Sequence, residues 1–128
     1  PAATTTIDRE AEIEAIFQDL EQRRLEAIYS GDTEAFVVLF ADTPYLARSL
    51  EVFDYVEAGP VPDITIEILE VLRDDAECLA VWATGETNGV PIEAAMTVLI
   101  PEGDTWGIAY VTDERGGWLC EGAHPLSG

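Results

Sequence analysis

Gly59-Pro60-Val61-Pro62-Asp63-Ile64-Thr65-Ile66-Glu67-Ile68 is where the hydrophobic pattern of this chain changes its period. Upstream, apolar residues recur at helical spacing; downstream, they alternate. Ile64, Ile66 and Ile68 face one way and Thr65, Glu67 and Leu69 the other, which predicts a strand over residues 63–72. Arg73-Asp74-Asp75-Ala76 reads as a turn and residues 78–86 as a second strand. Asn88-Gly89 supplies the positive φ angles that a two-residue hairpin needs. Residues 92–100 follow as a third strand. Pro101-Glu102-Gly103-Asp104 then turns into a fourth strand over residues 106–112, and a short last one is expected at 118–120. Sequential hairpins make an antiparallel meander, and its apolar face requires a cover.

The cover lies upstream. Ile13, Ile16, Phe17, Leu20, Ala27 and Ile28 form a helical stripe, with Glu10, Glu12, Glu14, Asp19, Glu21 and Glu26 assigned to the other faces. Thr6 is the expected N-cap. Gly31 is the expected stop, because glycine takes the left-handed conformation that closes helices. Asp32 should cap a short helix carrying Phe36, Val37, Leu39 and Phe40, and Pro44 should open a third over residues 45–57. Within that third segment Val52-Phe53-Asp54-Tyr55-Val56 also reads as a strand. The prediction is an α+β domain over residues 7–128, with N-terminal helices packed on a curved antiparallel sheet of four to five strands. Residues 1–6 are expected as a flexible tail.

Composition bounds the function. The 128 residues hold 26 Asp and Glu against 6 basic residues, a net charge of −20, and every basic residue is Arg. Such a field repels phosphate backbones and anionic membrane surfaces, so neither nucleic acid nor membrane is an expected partner. No apolar run approaches the roughly 20 residues of a membrane helix. The opening Pro1-Ala2-Ala3-Thr4-Thr5-Thr6 resembles the tether that follows a removed export signal. Export is therefore the expectation, with the cytoplasm of a salt-adapted cell as the alternative. Cys78 and Cys120 are candidates for one disulfide, and a buried free thiol is the competing reading.

Tyr29-Ser30-Gly31-Asp32-Thr33-Glu34-Ala35-Phe36, continuing to Leu39-Phe40-Ala41, resembles the end of the first helix and start of the second in the nuclear transport factor two-like superfamily. Asp113-Glu114-Arg115-Gly116-Gly117-Trp118 is similar to the turn that opens that family's last strand. The family includes SnoaL-like and ketosteroid-isomerase-like proteins. The resemblance implies a cone in which a curved sheet and helices enclose one apolar pocket. Pro44 to Ala58 departs from it, since the family usually places a small strand pair there and this stretch reads as helix. Members include isomerases, dehydratases, cyclases and non-catalytic modules, so the resemblance leaves function to the site.

Inventory removes several chemistries. Without Lys there is no Schiff base, Ser30, Ser49 and Ser127 stand in no nucleophile elbow, and no Gly-rich phosphate loop occurs. Cys120 and His124 have a spacing that would suit a metal, with Cys78 as a third ligand. Structural zinc normally takes four such ligands, so no metal or other cofactor is expected. Asp74-Asp75-Glu77 reads as a solvated turn.

What remains is a pocket carboxylate whose pKa burial would raise. Asp54 with Tyr55 is one candidate and Glu93 another; Tyr45 and Tyr110 could donate to a ligand oxygen. Trp82 and Trp106 are aromatic candidates for a ligand wall. Each has a plainer reading, as an exposed carboxylate or a core aromatic. The expected function is a non-catalytic domain that binds a small apolar molecule or associates with a protein, including a second copy through the sheet. The alternative is a small cofactor-free isomerase, dehydratase or cyclase with a buried carboxylate as base.

Overall fold

A computed structural model describes residues 2–113 and the side chains of residues 9–113. Three helices, α1 (Ala2–Ser30), α2 (Thr33–Val37) and α3 (Pro44–Tyr55), precede four strands. The strands are β1 (Ile64–Asp74), β2 (Leu79–Thr87), β3 (Val90–Glu102) and β4 (Thr105–Thr112). They form one antiparallel sheet in the order β1-β2-β3-β4, curved and unclosed, with the helices packed against it, so the chain is α+β.

α1 begins at Ala2, so Thr6 lies inside the helix instead of capping it. Nothing from Ala2 onward breaks a helix, and propagation adds a hydrogen bond for each residue fixed. The far end closes as its residues dictate. Gly31 takes φ +70°, and the Asp32 amide donates back to the Ala27 carbonyl at 3.0 Å. Asp32 then caps α2 through its carboxylate, which accepts from the Ala35 amide. Segment 45–57 resolves as helix as far as Tyr55, and Val56 beyond it is extended. Pro44 stands at its start, and Phe53 packs its ring 4.9 Å from that of Phe36.

Asn88 (φ 51°) and Gly89 (φ 80°) form the β2–β3 turn between the paired Thr87 and Val90. Asn88 is also tied back to the start of β1, since the Asp63 amide donates to its side chain. Register shifts at Ile68/Glu70, Val71/Arg73, Ala83/Gly85 and Val98/Leu99 interrupt the ladders. Such bulges bend strands and increase local twist, which hollows the helix-facing side of the sheet.

Each edge strand of the sheet has a partner outside the sheet at one point. At β4, Phe40 bridges to Ile108, whose amide donates to Leu39 while its carbonyl accepts from Ala41. At β1 the partner is a side chain. The Gln18 amide nitrogen donates to the Ile64 carbonyl at 2.6 Å, and its oxygen accepts from the Ile66 amide at 2.7 Å. Gln18 thus stands in for one residue of a neighbouring strand, and α1 is pinned to the edge it would otherwise leave open.

Two apolar clusters flank the sheet. Ile13, Phe17, Ile28, Phe36, Phe40, Leu79, Val81, Leu99 and Ile108 form the core beneath the helices. Cys78, Ala80, Met96, Val98, Ala109 and Tyr110 form a second cluster, itself buried within a single chain. Cys78 is fully buried and disulfide-bonded. Cys120, its expected partner, lies outside the described residues, as do His124 and the strand expected at 118–120.

Ion pairs among the described residues sit at the surface or half-buried. Arg9 reaches across to Asp74 at 2.7 Å and to Glu12 at 3.2 Å; Arg23 pairs with Asp19 and Arg73 with Asp75. The hydrogen bond from Arg9 holds the Asp74 carboxyl below the ordinary carboxylate range. That pairing therefore contributes above the ordinary carboxylate pKa and fades as pH falls through the lowered one.

Exposed pairs contribute at most about 1 kcal/mol each. Repulsion within a net charge of −20 is the larger electrostatic effect. The melting midpoint should accordingly rise between low salt and roughly 0.5 M sodium chloride, where the screening length falls to about 4 Å. An unchanged or lower midpoint in a thermal melt would show that the ion pairs dominate instead.

Candidate functional site

The hollow between the sheet, α1 and α3 holds a cavity of about 400 Å³. Its closed end is apolar: Phe36, Phe40 and Ile108 line it at 1, 5 and 2% exposure. Its mouth carries Val52 from α3 at 60% exposure, with Ile92 and the exposed Glu93 from β3. Between the two ends, the wall is partly polar. Glu21 and Arg24 come from α1, Tyr45 and Ser49 from α3, and Thr84 and Thr97 from the strands.

α1 places its charged pair by helical spacing. Phe17, Glu21, Arg24 and Ile28 succeed one another at intervals of three or four positions and share one face. The charge of Glu21 argues for an outer face of the helix, but its position puts it on the inward stripe. The pair is close and multiply bonded. Arg24 Nη2 donates to Glu21 Oε2 at 2.8 Å, and Nε lies 3.2 Å from both carboxylate oxygens. The two side chains retain 31% and 20% exposure. Burial alone would lower the Arg24 pKa, but the charge and hydrogen bond of Glu21 outweigh it, and the net shift is upward. Arg24 is a permanent cation whose charge is balanced in place.

Tyr45 opens α3 beside this pair, its ring 6.1 Å from that of Phe40. Burial pushes its hydroxyl pKa up, and the positive charge of Arg24 and a hydrogen bond shared with Ser49 offset this only in part. At neutral pH the hydroxyl is therefore protonated and can donate. The arrangement offers an apolar slot with a guanidinium and a phenol along one wall. Its carboxylates are unsuited to act as a general base, since Glu21 is held by Arg24 and Glu93 is open to water.

Of the residues expected to face a ligand, Tyr45 and Glu93 line the cavity. Asp54 and Tyr55 are exposed, Tyr55 at 87%. They follow Phe53, which turns inward, and each helical step rotates the side chain by about 100°. Tyr110 belongs to the second cluster, where burial raises its hydroxyl pKa to about 12. Trp82 packs against that cluster too, one residue before the cavity-lining Ala83 and so on the opposite face of β2. Trp106 packs against the main core without lining the cavity. Glu21, Arg24, Ser49 and the strand threonines Thr84, Thr87 and Thr97 are polar wall residues that sequence reasoning passed over. For the first two, the signal was their interval from Phe17 and Ile28.

The exposure of Asp54 leads to a direct expectation. Asp54→Asn should change the unfolding free energy by less than about 0.5 kcal/mol, the usual range for a surface site. Chemical denaturation of both proteins checks this, and a gain well above that figure would reveal a desolvated carboxylate. Compared with known proteins, the sequence matches no family model and no curated protein.

Proposed function

We propose that this chain is a non-catalytic module that binds a small, mainly apolar molecule in the cavity between its sheet and helices. The observation that carries the reading is the cavity itself. At about 400 Å³, with an apolar closed end and a few polar groups along one wall, it falls within the range of small-molecule sites. An isomerase or cyclase would need a base in the slot. The pairing of Glu21 with Arg24 and the exposure of Glu93 favour binding over turnover. Membership of the nuclear transport factor two-like superfamily belongs to the same proposal, supported by helices and a curved meander with a pocket between them.

The neutral fluorophore 1-aminoanthracene serves as a first probe, since its emission rises when it leaves water. It should bind with a single saturable site. Ala95→Phe, which puts an aromatic ring on the cavity wall, should weaken that binding at least about tenfold while the circular dichroism spectrum is retained. Equal binding by the folded variant would move the site elsewhere and sink the reading.

A further inference from the structure

We infer that the occupant is an uncharged molecule with an apolar body and one hydrogen-bond-accepting oxygen, seated with its apolar end at Phe36 and its oxygen beside Arg24 and Tyr45. The inference rests on the proposed small-molecule site and specifies its chemistry. Orientation follows from the lining: Phe36 is 1% exposed, whereas the Glu21 and Arg24 side chains keep 20% and 31%. The apolar part of a ligand therefore goes deepest, and its polar part stays on the wall nearer the mouth.

Charge selects the polar group. Glu21 engages Arg24 through Nε and Nη2, which leaves the hydrogens of Nη1 for another acceptor. A carboxylate placed there would be a third anion beside Glu21 and Glu93, in a chain of net charge −20. An ammonium group would sit next to the Arg24 cation, and its one unpaired partner, Glu93, is exposed and so attracts weakly. A carbonyl or ether oxygen meets neither penalty. It takes a charge-assisted bond from Arg24 and a second from the protonated Tyr45 hydroxyl, with no ion to desolvate.

The test uses three probes of matched size, nonan-2-one, octanoate and nonylamine, each competing against bound 1-aminoanthracene. With the unaltered protein the ketone should compete at least about tenfold better than either ion. Glu21→Gln keeps a hydrogen-bonding partner for Arg24 but removes the balancing charge. It should improve octanoate relative to the ketone by at least about tenfold, since the charge left unbalanced on Arg24 is half-buried and so less screened than a surface charge. The inference is overturned if octanoate or nonylamine competes best with the unaltered protein, if Glu21→Gln leaves octanoate unchanged relative to the ketone, or if none of the three displaces the fluorophore. Failure of the fluorophore itself to bind would instead overturn the proposed small-molecule site.

Discussion

Phe36→Ala should lower the unfolding free energy by about 3–5 kcal/mol, the range for truncating a buried aromatic. Phe36 is 1% exposed, and its ring lies 4.8 Å from that of Phe40 and 4.9 Å from that of Phe53. It is the buried residue of α2, a helix of 5 residues far too short to persist without tertiary contacts. One side chain therefore holds α2, α3 and the linker on β4 together. It also lines the closed end of the cavity, so truncation enlarges an existing space that its neighbours cannot close by relaxing.

Phe36→Leu keeps most of the volume and should cost under about 1.5 kcal/mol. Urea denaturation followed by circular dichroism measures both. Domains of this kind are stable by only about 5–15 kcal/mol, so the alanine variant should lose at least about a fifth of its margin. A loss below about 1.5 kcal/mol for alanine would mean that α2 is not anchored through this ring.

Gly85→Ala should have the next largest effect, a loss of about 3 kcal/mol, at the upper end for forcing a methyl group into packed structure. A Cβ at Gly85 would overlap the Thr65 carbonyl oxygen on β1, which is backbone and cannot swing aside. β1 must shift, and it carries Ile64 and Ile66, both of which line the cavity. The variant should therefore melt about 10 °C lower and also bind 1-aminoanthracene more weakly while still folded. Gly31→Ala is the control: a Cβ there meets nothing within 4 Å and suffers only from the positive φ of 70°. That strain costs about 1–2 kcal/mol. If Gly85→Ala melts no lower than Gly31→Ala, the Thr65 carbonyl does not crowd Gly85 and the close approach of β1 to β2 is overturned.

The order of elements was legible because it rests on local chemistry. The change of period at Asp63, the positive φ angles wanted by Asn88-Gly89, the Gly31 stop and the Asp32 cap each act within a few residues. Val52-Phe53-Asp54-Tyr55-Val56 shows where such evidence ends, since a short apolar pattern fits both periods. Contact between Phe53 and Phe36 decides for the helix and turns Asp54 outward.

The site depended on tertiary structure almost throughout. β2 and β3 are apolar on both faces, with Leu79, Val81 and Leu99 on one side and Ala80, Met96 and Val98 on the other. Alternation separates those two sets without saying which one the helices cover, so Trp82 and Tyr110 could not be placed. Glu21 and Arg24 stand at inward intervals on α1; the charge of Glu21 argues it outward, and only its pairing with Arg24 in the folded chain offsets the cost of the inward position. Gln18 as a surrogate strand, the bulges that hollow the sheet, and the cavity between them bring together residues as distant in sequence as Phe17 and Val111. Sequence by itself determined where this chain turns and caps, because those choices are made between near neighbours. Which faces meet, and what space they leave, was decided only when distant segments packed, because burial is a property of the assembled layers.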